Sequence, residues 1–196
     1  MSVNLQKGQR VDLKKNDGAS LSRVIVGLGW DAAKKGFLIK RPTANIDCDA
    51  SALLLDANGK LAGVPDIVYY GALSHSSGSV IHQGDNLTGD GDGDDEQICV
   101  DLSRVPEKYS KILFVVNIYD CAERGQDFGM IQNAFIRIVD ADTNTEMCKY
   151  NLTENYAGLT AMVFGELYRH NGAWKFNAIG DGTKDTSLKT LSAKYR

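Results

Sequence analysis

Proline is scarce, three in 196 residues, and no Pro/Gly/Ser-rich stretch interrupts the chain. Nothing therefore marks a linker, and the expectation is one domain over 1–196. The four cysteines, Cys48, Cys99, Cys121 and Cys148, form no CxxC pair, which excludes zinc-finger and dithiol redox motifs. They read as reduced thiols. Cys48 and Cys99 sit in apolar strand-like runs as small hydrophobes, and Cys121, beside Glu123 and Arg124, is the one expected to be exposed. No window approaches the ~20 apolar residues of a membrane span, and MSVNLQKGQR lacks the apolar centre of a signal peptide. A soluble, cytoplasmic protein without a transmembrane segment is expected. Clustered Lys/Arg is also missing, so no nucleic-acid partner is expected.

Long segments of 3.6-residue periodicity are absent too, which disfavours parallel α/β folds. Short β-rich runs take their place: 22–30, 46–55, 66–70, 79–83, 96–102, 111–119, 133–141, 146–152, 160–170 and 174–180. Gly, Asn or Asp separates most of them. Residues 140–146 and 169–174 read as hairpin turns, the second around Asn171-Gly172. Helix signals are confined to 103–111, with Ser103 as cap, and to a short amphipathic C-terminal stretch, 185–196, with Leu188 and Leu191 at helical spacing. The fold class that follows is all-β, a mainly antiparallel β-sandwich with a few short helices.

Charge is unremarkable in sum, −3, and uneven in distribution. Residues 85–96, DNLTGDGDGDDE, hold Asp85, Asp90, Asp92, Asp94, Asp95 and Glu96 with no Lys or Arg; without these six, 19 acids face 22 bases. So many carboxylates repel one another, and a solvated acidic loop is one reading. The interleaved Gly89, Gly91 and Gly93 support another, a loop that curls until its oxygens converge. Hard oxygen donors on a flexible loop suit Ca²⁺, with Mg²⁺ second; the run has no His or Cys to favour zinc or copper.

The run starting at Asp90 imitates an EF-hand loop and then fails: its sixth position is Asp95 rather than Gly, its twelfth is Asp101 rather than Glu, and its flanks read as strands. Two further features could complete a site. Asp47, Asp49 and Ser51 alternate onto one strand face, where paired carboxylates need solvent or a counterion, and Asp31 ends the Gly-rich strand exit GLGWD. Exposed acids at strand ends are the alternative for each.

These segments resemble a known family. GLGWD (27–31), DCDASALLL (47–55), GDNLTGDGDGDDEQI (84–98), VVNIYDC (115–121) and GQDFGMIQNAFIRIVD (125–140) are similar to the successive signatures of the TerD family of bacterial tellurium-resistance and general stress proteins. The resemblance runs over about residues 1–190. It implies a β-sandwich that binds calcium, two ions, without catalysis. Carried over by motif, the implied ligands are Asp31, Asp47, Asp49, Asp85, Asn86, Thr88, Gly89, Asp92, Asp94, Asp95 and Glu96. Thr88 and Gly89 would serve through a hydroxyl or carbonyl oxygen. Cys48 stands where the family has Leu, on the side away from the acids. The resemblance further implies a role in resistance to tellurite, phage and colicins. Its implied partners are the other proteins of a stress or tellurium-resistance complex, in the cytoplasm and peripheral to the inner membrane.

Other chemistries have weaker support. His75 and His82 flank Ser76 and Ser77 in LSHSSGSVIHQ, but no nucleophile elbow or HExxH pattern is present, and loop histidines are expected to be exposed bystanders. The better enzyme alternative is a metal-dependent hydrolase using the same carboxylates. Cysteine-based tellurite chemistry lacks a paired or electropositive thiol.

Overall fold

The computed structural model describes residues 2–15, 17–32, 46–84 and 93–196. Twelve strands run in the order β1 (Val3–Leu5), β2 (Arg10–Asp12), β3 (Arg23–Ala32), β4 (Cys48–Leu55), β5 (Ile67–Val68), β6 (Val80–His82), β7 (Glu96–Asp101), β8 (Lys111–Ile118), β9 (Ile131–Asp140), β10 (Thr145–Asn151), β11 (Ala161–His170) and β12 (Ala173–Thr183). Two short helices join them, α1 (Cys121–Arg124) and α2 (Leu188–Ala193). The strands form two six-stranded sheets, ordered β1-β10-β9-β3-β7-β6 and β2-β12-β11-β8-β4-β5. β1 runs parallel to β10, and the other pairings among the described residues are antiparallel. The expected sandwich is therefore the observed fold.

Period-2 patterning decides which face of each strand enters the core. In β3, Val24, Val26, Leu28 and Trp30 are buried, and in β7 Glu96, Ile98 and Val100 alternate with half-buried neighbours. Across the sandwich they meet Cys48, Ala50, Ala52 and Leu54 of β4 and Ile112, Phe114, Val116 and Ile118 of β8. β4 and β8 are buried on both faces. On the outer side, Leu53, Leu55, Leu113 and Val115 form a second apolar layer with Leu61, Ile67, Val163 and Leu191 of α2. That second layer explains why the run at 46–55 alternates and then turns wholly apolar. Each such leucine contributes about 1.5–3 kcal/mol on burial.

The Asn171-Gly172 turn is confirmed, with φ of 50° and 76°, as is the C-terminal helix, where the Ser187 hydroxyl accepts from the Thr190 N–H at 3.2 Å. At 103–111, read from the sequence as a single turn or a short helix, the structure has turns and no helix. Ser103 instead donates its N–H and hydroxyl to the Asp101 carboxylate, at 3.2 and 2.5 Å. The following carbonyls of Val105 and Tyr109 accept from the Arg169 guanidinium, at 2.7 and 3.0 Å. Among the described residues no helix is long and apolar enough to cross a membrane.

Candidate metal centre

Antiparallel pairing brings the acidic segments to one end of the sandwich. β3 ends where β7 begins (Leu28 opposite Glu96), and β4 begins where β8 ends (Cys48 opposite Ile118). Glu96 joins the two sheets. Its side chain is buried, and Oε2 accepts the Ala50 N–H of β4 at 2.7 Å. β5 pairs β4 only at Ala52 and Leu53, so a carboxylate closes the strand edge where the neighbouring strand has run out. A buried amide left without such an acceptor would cost about 1–3 kcal/mol.

The three consecutive acids after the glycine-rich loop point in three directions. Glu96 faces inward. Asp95 lies against the end of β3, where its Oδ2 accepts the Trp30 N–H at 2.7 Å and its own N–H donates to the Leu28 carbonyl at 2.8 Å. Asp94 faces the outside of the first sheet. Its Oδ1 accepts from Arg137 Nε at 2.6 Å, and its Oδ2 from Arg137 Nη2 at 3.0 Å and from Gln97 Nε2 at 2.9 Å.

Asp49 is buried on the outer side of β4, opposite Asn117 of β8. Asn117 Nδ2 donates to Asp49 Oδ2 at 3.2 Å, whereas its Oδ1 is buried with no hydrogen-bond partner among the described residues. Asp47 precedes β4, its Oδ2 3.8 Å from Arg124 Nη1. The Cys48 thiol is pushed well above its ordinary range by burial and then by the negative charges of Asp49, Glu96, Asp47 and Asp95. Asp49 lies on the outer side of β4 and Glu96 on its core side, so these acids share one end of the sandwich and approach it from different faces. Asp31 is exposed at the end of β3 and accepts from Asn133 Nδ2 at 2.7 Å; Asn133 adopts a left-handed φ of 54° to reach it. Asp85, Asn86, Thr88, Gly89 and Asp92 lie outside the described residues. Among the described residues, no three acids, histidines or cysteines converge closely enough to hold an ion between them.

The donor set nevertheless fits a hard cation in kind. It is all oxygen, dense in negative charge, and includes the partnerless amide oxygen of Asn117, which suits Ca²⁺ better than zinc or copper. Histidine does not compete. His82 is buried, not an exposed bystander as expected. Its Nδ1 accepts the Gly84 N–H at 3.1 Å, and its Nε2 lies 3.4 Å from Glu96 Oε2 with no hydrogen-bond partner among the described residues. His75 is likewise buried. Its Nδ1 accepts the Ser77 N–H at 3.1 Å, and its Nε2 faces Tyr109 Oη at 3.2 Å and Asp66 Oδ1 at 3.5 Å. The His75 imidazole, partnered at both nitrogens, braces the segment between β5 and β6 against Tyr109. The cysteine expectation also reverses: Cys121 is buried, and Cys99 is partly exposed.

Arg137 and Asn117 shape this end of the molecule; both fell within quoted signatures, GQDFGMIQNAFIRIVD and VVNIYDC, without being singled out as site residues.

Comparison with known proteins supplies the context. The TerD domain family matches residues 1–195. Stress response protein SCP2 of Bacillus subtilis (strain 168) is 52% identical over 200 residues, covering all of both chains. Tellurium resistance protein TerD of Serratia marcescens is 50% identical over 195 residues, covering 100% of this chain and 97% of its own. The crystal structure of a homologue of the telluride resistance protein TerD from Streptomyces coelicolor A3(2) superposes with a TM-score of 0.66 at 21% identity, over 88% of this chain and 96% of that one. The sandwich, the acid-rich end and a match along nearly every residue agree: the chain belongs to the TerD family of tellurium resistance and general stress response proteins.

Proposed function

We propose that this chain is a calcium-binding, non-enzymatic module of a cytoplasmic stress response, acting in tellurite resistance through calcium-dependent contacts with other proteins. The observation that carries the reading is the gathering of acids at one end of the sandwich, with Asp49 buried on the outer side of β4, Asp95 at the end of β3 and Glu96 turned in to β4, next to an amide oxygen of Asn117 that lacks a partner among the described residues. Asp31 and the acids and amide of 85–92 are the further donors in this reading. Bound there, calcium would neutralise the mutual repulsion of carboxylates from β3, β4 and the loop, and tie together segments distant in sequence. The backbone N–H groups of Trp30 and Ala50 hold the carboxylates of Asp95 and Glu96 in place for it.

A non-enzymatic role is favoured over metal-dependent hydrolysis because the imidazole beside these acids, His82, is buried and its Nδ1 is already occupied by the Gly84 N–H. Isothermal calorimetry tests the reading. Calcium binding that Asp49→Asn weakens supports it; absence of binding, or binding that Asp49→Asn leaves unchanged, contradicts it.

A further inference from the structure

Asp94 is the most tightly held of the acids, and what holds it is a cation of the protein itself. Its side chain is 1% exposed, and both carboxylate oxygens are engaged by the Arg137 fork. Gln97 Nε2 takes a further position on Oδ2. The carboxylate rests on Gly27 of β3, where an added Cβ would collide with it. Arg137 is in turn fixed from its other side by Glu146 of β10, 3.3 Å from Nη1, and Glu146 accepts the Ser2 hydroxyl at 2.5 Å. The cluster spans β3, β7, β9 and β10 on the outer face of the sheet. It clamps the residue immediately before Asp95 and Glu96.

We propose that Arg137 is a positioning residue for the cation site: through Asp94 it fixes the foot of the acidic loop so that Asp95 turns to β3 and Glu96 turns inward to β4. Asp94 serves as an anchor here rather than as a cation ligand. This inference rests on the calcium reading above. Strand alternation alone would send Asp94 and Glu96, two residues apart, to the same face, yet they lie on opposite sides of the sheet. Pairing the first with a planar, bidentate guanidinium over a glycine sets the backbone direction for the next two. Gly27 belongs to the device, because any side chain there would lift the carboxylate out of its seat.

The sign of one substitution separates this role from its rival. If Asp94 were a calcium ligand that Arg137 merely competes for, removing the guanidinium would free a carboxylate, remove a repelling charge and tighten calcium binding. If Arg137 positions the loop, the same change loosens binding despite the more favourable electrostatics. The test is calcium calorimetry on the wild-type chain, Arg137→Gln, Arg137→Lys and Gly27→Ala, with far-UV circular dichroism for each. Arg137→Gln is expected to weaken calcium affinity about 10- to 100-fold, as loss of an outer-shell partner does. Gly27→Ala, which changes no charge, is expected to weaken it in the same direction. Arg137→Lys keeps the charge and leaves no carboxylate stranded, so it carries the test if Arg137→Gln does not fold; it too is expected to bind more weakly, having lost the fork. Wild-type binding with unchanged or tighter binding by folded Arg137 variants overturns this inference alone. A wild-type chain that binds no calcium overturns both it and the reading beneath it.

Discussion

At the scale of single residues, the acids of one short signature do different work. In GDDE, Asp94 is neutralised by Arg137, Asp95 caps the end of β3, and Glu96 crosses to β4. The sequence marked all three as acids of a site. It could not distribute them, because each partner comes from a strand far away in the chain. Glu96→Ala is therefore expected to destabilise the fold itself, leaving the Ala50 N–H without its acceptor, by about 1–3 kcal/mol. Urea unfolding in the absence of calcium checks this; an unchanged midpoint would remove Glu96 from the brace. The thiols give a second residue-scale expectation. Burial pushes the Cys148 thiol up to about 12, and burial followed by neighbouring negative charge raises the Cys48 thiol well above its ordinary range. Only thiolate reacts. Under native conditions at neutral pH, Cys99 should thus be the thiol modified by a disulfide reagent, and Cys48 and Cys148 should react only on unfolding. Peptide mapping after labelling reads this directly.

At the scale of elements, strands were legible wherever alternation or a long apolar run persisted, as in β3, β4, β7, β8 and β9. β1 and β2 were not, because three-residue edge strands hold too few side chains to show a period. The stretch 103–111 failed for a different reason: Ser103 bonds back to Asp101 while Arg169, from another strand, takes the carbonyls a helix would have used. α2 succeeded because local and tertiary preferences agree. Ser187 caps it, and Leu191 is buried in the outer layer over β4 and β8. Two substitutions should separate these contributions. Ser187→Ala is expected to cost about 1 kcal/mol, and Leu191→Ala about 2–5 kcal/mol through the cavity it leaves. Chemical denaturation measures both; equal costs would show that α2 adds little to the packing of that face. The β9–β10 hairpin offers a pH test. Hydrogen bonding to Arg23 holds the Asp142 carboxyl below the usual aspartate range. A depressed folded value stabilises the hairpin above the unfolded one, about 3.9, and that contribution is lost as pH falls through the folded value. Asp142 followed by NMR should titrate below that reference, and return towards it in Arg23→Gln.

At the scale of the whole molecule, two sheets sharing a core are bridged at one end by carboxylates, and that end is where the acidic loop is inserted between β6 and β7. That Asp31, Asp47, Asp49, Asp95 and Glu96 share one end of the sandwich was not legible in the sequence, since their meeting depends on the register of two sheets and not on spacing along the chain. Calcium joining those segments should stabilise the folded chain by about 2.7 kcal/mol at a hundred times its dissociation constant, and magnesium should do so less, given its demand for stricter octahedral geometry. Ligands must be ionised to bind, so the gain should be full near neutral pH and fade as pH falls through the carboxylate range near ~4. The most direct measurement is thermal melting of the intact chain with calcium, with magnesium and with chelator, from neutral to acid pH. The account predicts a calcium-dependent rise in melting temperature that exceeds the magnesium effect at neutral pH and disappears at pH ~3; no rise at neutral pH, or one undiminished in acid, would contradict it.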